Sequence, residues 1–210
     1  MALWPRYPSV FEINTWVWLA GLSEKSGVSV DLGSVAPAEW DTIAERRFDA
    51  VWLMGVWERS PAGIAIANHE KGLLDDFQRA PPDFRPQDNV GSPYSVRRYV
   101  VDKRLGGPDG LAVARQELAK RRMRLILNFV PNHVAPDHPW VVEHPEYFIW
   151  NVDDTEGTVF ACGRDPCSPA WPDVLQLNAF QPRSVKRRRK LFRVSPASAM
   201  ESAATWPCSC

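Results

Sequence analysis

Apolar positions fall into three short runs separated by stretches of helical period. The runs VFEINTWVWL (10–19), DAVWLMGVW (49–57) and RLILNFV (124–130) are rich in β-branched and aromatic residues, and near-continuous apolar character over so few positions predicts buried parallel strands. Between the first two, APAEWDTIAERRF places Trp40, Ile43, Ala44 and Phe48 at helical spacing behind a proline suited to a helix start. Between the second and third, GPDGLAVARQELAKRRM does the same with Leu111, Val113, Ala114 and Leu118. Strand, helix, strand, helix, strand predicts an α/β fold with a parallel sheet and right-handed crossovers.

The connections are unequal. Long segments follow the second and third strands, whereas the turns entering strands are short, an asymmetry expected of a (β/α) barrel whose site is built at the C-terminal ends of its strands. The segment from Glu58 to Gly106 has the Gly, Pro, Asn and Tyr content of an ordered binding loop. Residues 134–182 are rich in Trp, Pro and Asp with little period, and are expected to form an excursion over the barrel mouth. From residue 183 the texture changes to RSVKRRRKLFRVSPASAMESAATWPCSC, and residues 183–210 are expected to be a disordered basic tail outside the sheet. Three parallel strands without closing partners leave an exposed edge, so the isolated chain is expected to be molten or aggregation-prone.

Composition adds mainly exclusions. The 210 residues are 45% hydrophobic and 24% charged with zero formal net charge, which offers no global electrostatic reason to bind nucleic acid or an anionic membrane. No apolar run is long enough to span a bilayer and the N-terminus lacks the pattern of a signal peptide, so the expectation is a cytoplasmic protein with neither a nucleic-acid nor a membrane partner. Cys162, Cys167, Cys208 and Cys210 are too few and too uneven for a disulfide framework, and their spacing is poor for zinc. They are expected to be free thiols, and no cofactor is expected.

Chemistry concentrates in LILNFVPNHVAPDHPW (125–140). Asn132 and His133 follow the third predicted strand, where a neutral imidazole can hydrogen-bond a hydroxyl and an amide can hold a loop, a hydroxyl or a hard cation. Capping of the strand is an equally good reading of the pair. Asp137 and His138 read as turn formers.

NFVPNH resembles the first signature of the α-amylase superfamily of glycoside hydrolases, carried on the third strand of a (β/α)8 barrel. FDAVWLMGVWERSP, GSPYSVRRYVVDKRLGG and WPDVLQLNAFQP resemble that family's second strand, its Gly-x-Tyr…Tyr-x-x-x-Asp…Gly loop and the Leu-Asn segment before its fourth strand. The resemblance covers residues 7–182 and implies the first three βα units of a (β/α)8 TIM barrel, with residues 1–182 as one catalytic-type domain. It implies an α-glucan or α-glucoside substrate, with Tyr94 stacking on a sugar ring and His133 bonding its hydroxyls. Asn132 would organise the loop and, in calcium-binding members, ligate the ion. Trp140 and Trp171 are further possible sugar platforms, though core packing is the better reading of both. The sequence departs from the pattern at Asn128, where the family has Asp, and at Arg98 and Lys103.

A retaining glycosidase needs two carboxyl groups about 5–5.5 Å apart. In the family these lie on the fourth and fifth strands, which the pattern does not supply. Asp102, Asp137, Asp153, Asp154, Asp165 and Asp173 read as loop carboxylates, so no catalytic residue is assigned and the chain is expected to be an inactive, truncated relative. The alternative is a non-catalytic binding protein whose basic run serves as a nucleic-acid or localisation patch. The tail also reads as frameshifted. Taking the third base of each codon with the next two, AMESAATWPCSC permits Asp-Gly-Val-Arg-Cys-Asp-Met-Ala-Met-Leu-Leu, which resembles the family's fourth-strand signature, and the basic run permits an amphipathic helix before it.

Overall fold

The computed structural model describes residues 4–81, 83–151, 159–165, 167 and 169–180. The expected tail, with Cys208 and Cys210, lies outside them, as do Asp153 and Asp154. The strands are β1 (Val10–Asn14), β2 (Ala50–Met54), β3 (Trp57–Arg59), β4 (Val96–Val101), β5 (Arg124–Leu127), β6 (His133–Val134), β7 (Cys162–Gly163) and β8 (Trp171–Gln176). The α-helices are α1 (Thr15–Ser26), α2 (Pro37–Ala44), α3 (Pro61–Ala67), α4 (Lys71–Arg79), α5 (Gly107–Lys120) and α6 (Trp140–Glu143). They divide between two compact units, one comprising residues up to Val56 and Val100–Phe129, the other comprising Trp57–Tyr99 and the described residues from Val130 onward.

The first unit holds the sheet that the apolar runs predict. Its order is β1-β2-β5, all parallel, with Val10 opposite Ala50 and Val51 opposite Leu125. Ala50, Val51 and Leu53 are fully buried on the central strand, and each Val or Leu hidden in this way stabilises by about 1.5–3 kcal/mol. Trp40 and Ile43 of α2 are buried, with Trp40 edge-on to Trp18 at 5.0 Å, while Phe48 stacks on Phe11. Ala114 and Leu118 of α5 are buried too. Val113 is not: it faces solvent. Arg121 joins the two helices, its guanidinium donating to Asp41 at 2.7 Å, to Glu117 at 2.7 Å and to the Pro37 carbonyl at 3.0 Å.

All three strands are shorter than their apolar runs. The first was expected to reach residue 19, but the Asn14 side chain accepts the Val17 N–H and starts α1, so Thr15 to Leu19 are helical. Gly27, at φ 72°, ends that helix with its N–H on the Ser23 carbonyl. The second run is cut at Gly55, whose φ of 80° suits glycine, leaving β2 at Met54 and putting Trp57 in a separate strand. Asn128 ends the third, its amide oxygen accepting the Gly55 N–H at 3.0 Å.

The second unit corrects two further expectations. The segment from Glu58 to Gly106 is not only loop: it contains α3, α4 and β4, and β4 pairs with β3. Ser60 and Pro61 supply the cap and first turn of α3, with the Ser60 hydroxyl accepting the Gly63 N–H at 2.8 Å. The region from residue 134, read as an excursion with little period, contains strands of its own: an antiparallel sheet of order β6-β8-β7. Its core is Val134, Trp140, Tyr147, Phe148 and Leu177. Trp140 is therefore a core residue, edge-on to Tyr147 at 5.4 Å.

Candidate functional site

The second unit gathers a cleft of about 280 Å³ lined by Ser92, Tyr94, His133, Trp171, Asp173 and Val174. Two strands and a loop build it. β6 and β8 pair antiparallel with His133 opposite Gln176, so His133 comes beside the strand that carries Trp171 and Asp173. The loop bearing Ser92 and Tyr94 is pinned to β8 by the Ser95 hydroxyl, which donates to the Asp173 carbonyl at 2.7 Å. Glycine at position 163 lets β7 approach closely, since a Cβ there would meet Val174 at 2.7 Å and His133 at 3.1 Å.

Of the residues singled out in sequence, Tyr94, Trp171 and His133 line the cleft, and Asn132 adjoins it. Tyr94 is 43% exposed and available to a ligand, while Trp171 is half-buried and edge-on to the His133 ring at 5.4 Å. His133 is 8% exposed, and burial pushes its pKa down while Asp173 and a hydrogen bond to the Tyr94 backbone oppose that shift. Burial pushes the Asp173 carboxyl up, against its own backbone hydrogen bond and the neighbouring imidazole. The pair thus combines a neutral-leaning imidazole with a desolvated carboxyl, suited to hydrogen-bonding hydroxyls.

Asp173 is the site residue that sequence reasoning passed over as a loop carboxylate. Its one available signal was its place two residues after Trp171, which alternation on a strand puts on the same side. The other carboxylates have structural posts. Asp102 caps a turn and pairs with Arg104 at 2.9 Å, and Asp137 accepts the Ser60 hydroxyl at 2.6 Å. Asp165 accepts the Cys167 N–H at 3.2 Å. His138 makes a turn as expected, its Nδ1 accepting the Trp140 N–H at 3.1 Å. Arg98 pairs with Glu58 through two hydrogen bonds at 2.7 and 2.9 Å. Cys162 is half-buried and Cys167 exposed, both free thiols.

The surroundings of Asn132 do not fit a calcium ion. Its side-chain oxygen accepts the Gln176 amide at 2.8 Å, and its backbone oxygen accepts both the same amide at 2.9 Å and the Leu177 N–H at 3.0 Å. Gln176 Oε1 receives the Arg164 N–H at 3.2 Å, and the Arg164 carbonyl receives Asn132 Nδ2 at 3.3 Å. Calcium needs six to eight oxygen ligands, usually with carboxylates among them, whereas here each of these oxygens has an N–H directed at it. Among the described residues no three His, Cys, Asp or Glu side chains converge as metal ligands.

No protein-family model matches the chain. It is 28% identical over 134 residues to an α-1,4-glucan:maltose-1-phosphate maltosyltransferase of Rhodospirillum rubrum, covering 57% of this chain and 18% of that protein. It is 25% identical over 127 residues to an oligo-1,6-glucosidase of Parageobacillus thermoglucosidasius, covering 56% and 21%. An α-amylase from Lactobacillus plantarum superposes with a TM-score of 0.59 over 87% of this chain and 34% of its own, at 18% identity. The chain is similar to enzymes of the α-amylase family. Its likeness to these α-amylase-family enzymes spans about a fifth of the length of the two curated relatives. Among the described residues no helix is long and apolar enough to cross a membrane.

Proposed function

We propose that this chain corresponds to the opening part of an α-amylase-type (β/α)8 barrel, and that the cleft of the second unit binds a ring of an α-glucan or α-glucoside. The observation that carries the reading is the convergence of Tyr94, Trp171, His133 and Asp173 on one cleft. Sugars present apolar faces that stack on aromatic rings and hydroxyls that need both donors and acceptors. Tyr94 and Trp171 supply the rings, and His133 and Asp173 the polar partners. The names of the relatives support this class of substrate, one being a glucan maltosyltransferase and another an oligo-1,6-glucosidase. The parallel strands β1, β2 and β5, adjacent in chain order, support the barrel reading.

We further infer that the described residues bind without turning over. Retaining hydrolysis requires a second carboxyl about 5–5.5 Å from the first, and the cleft is lined by one, Asp173. Residues 183–210 are read as a stretch translated out of the ancestral frame, which accounts for the basic run without assigning it a partner, and the protein is placed in the cytoplasm. Sequencing the locus tests this: barrel-coding sequence should continue in the alternative frame, and its absence would refute the frameshift.

Saturation-transfer NMR with maltotriose on the refolded 210-residue chain tests the binding. Transfer to the sugar is expected from the native sequence and should fall in Trp171→Ala and Tyr94→Ala. No transfer, or transfer unchanged in both variants, would overturn the assignment. Release of aryl leaving group from an aryl α-glucoside above the buffer rate would overturn the inactivity.

A further inference from the structure

We propose that Gln176 is a positioning residue, an amide clasp that holds Asn132 without a metal ion and through it fixes the ring of His133. The inference rests on hydrogen-bond geometry and stands whether or not the cleft takes a sugar.

Gln176 lies at the end of β8, opposite His133 in the ladder. Its side-chain amide nitrogen reaches two oxygens of one residue, Asn132 Oδ1 at 2.8 Å and the Asn132 carbonyl at 2.9 Å. The orientation of this amide is determined by its neighbours. Reversed, it would set Oε1 against two acceptors and Nε2 against the Arg164 N–H, which instead donates to Oε1 at 3.2 Å. The Asn132 carbonyl also takes the Leu177 N–H at 3.0 Å, so both of its lone pairs are engaged. With its oxygen held by Gln176, Asn132 turns its Nδ2 toward His133 Nδ1 at 3.2 Å and the Arg164 carbonyl at 3.3 Å.

The consequence reaches the cleft. A ring nitrogen that accepts from Asn132 carries no proton, so in the neutral imidazole the proton sits on Nε2. Gln176, Asn132 and His133 form one directed chain. A cation at Asn132 would have to displace N–H donors from oxygens that already hold them, and the clasp performs the bridging that the ion would otherwise supply.

The test uses the 210-residue chain labelled with ¹⁵N-histidine. His133 is expected to give the single Nε2–H tautomer, with ring shifts and thermal midpoint the same in chelator and in millimolar calcium. In Gln176→Leu the single tautomer should give way to an averaged pair. In Asn132→Asp, which replaces the donor with an acceptor, His133 Nδ1 should acquire a proton. Uptake of one equivalent of calcium by the native chain with movement of the His133 signals would overturn the metal-free clasp. A His133 tautomer unchanged in either variant would overturn the positioning role.

Discussion

The Tyr99 hydroxyl and the backbone of Val130 bond in both directions: the hydroxyl donates to the Val130 carbonyl at 3.1 Å and accepts the Val130 N–H at 2.9 Å. One side chain thereby satisfies both polar groups of a buried residue just before the Asn132 segment. Burial pushes the Tyr99 pKa up, so the phenol stays protonated and able to donate. Tyr99→Phe keeps the ring against Trp57 but strands both Val130 groups. It should cost about 1–3 kcal/mol, read as a lower denaturation midpoint at unchanged slope. An unaltered midpoint would show that water replaces the hydroxyl.

Trp140 and Trp171 should separate stability from binding. Trp140 is 6% exposed and packed between His138 and Tyr147, so Trp140→Ala should cost about 3–5 kcal/mol and unfold much of the second unit. Trp171 is half-buried at the cleft, and its alanine variant should retain the fold while weakening maltotriose binding about tenfold, a loss of roughly 1.4 kcal/mol. Circular dichroism and ligand titration on both variants read the two effects apart. Equal loss of structure in both would make Trp171 a core residue.

The strands of the first unit were legible because burial on both faces leaves an unbroken apolar run, and β1, β2 and β5 each fall inside one. Their ends were not, since WVWL continues the apolar character of β1 although it is helical. The deciding residue is Asn14, whose capping role depends on a single backbone contact with Val17. Ser60 and Pro61 were a readable start for α3 that the surrounding Gly and Ala obscured. Asn132, His133 and Tyr94 could be picked out from sequence; Asp173 and Gln176 could not. What matters about those two is the company they keep, and their partners are supplied by segments about 40 to 80 positions away along the chain.

Gly163 is tested by the smallest possible addition. A methyl group at this position meets Val174 Cγ2 at 2.7 Å and the His133 Cβ at 3.1 Å, distances at which β7 or its neighbours must shift. Gly163→Ala should therefore destabilise by about 1–3 kcal/mol and displace the His133 ring signals. Gly21→Ala is the control, because a Cβ there meets nothing within 4 Å. Equal behaviour of the two variants would mean that β7 yields without disturbing the cleft.

His138 sets a pH limit on the second unit. Burial holds its pKa down to about 4 from an ordinary value of 6.5, with Asp137 opposing the shift in part. Its Nδ1 is occupied by the Trp140 N–H, so protonation must break that bond as well as charge a buried ring. The unfolded chain takes up the proton first as pH falls below 6.5, whereas the folded chain resists until about 4. Stability from this group is therefore complete above pH 6.5 and declines through that window, at up to about 1.4 kcal/mol per pH unit. His138→Asn preserves an acceptor for Trp140 while removing the titration, and should flatten the stability profile between pH 4 and 6.5. Urea denaturation of both chains across that window measures the difference in slope. Parallel profiles would show that His138 titrates alike in both states.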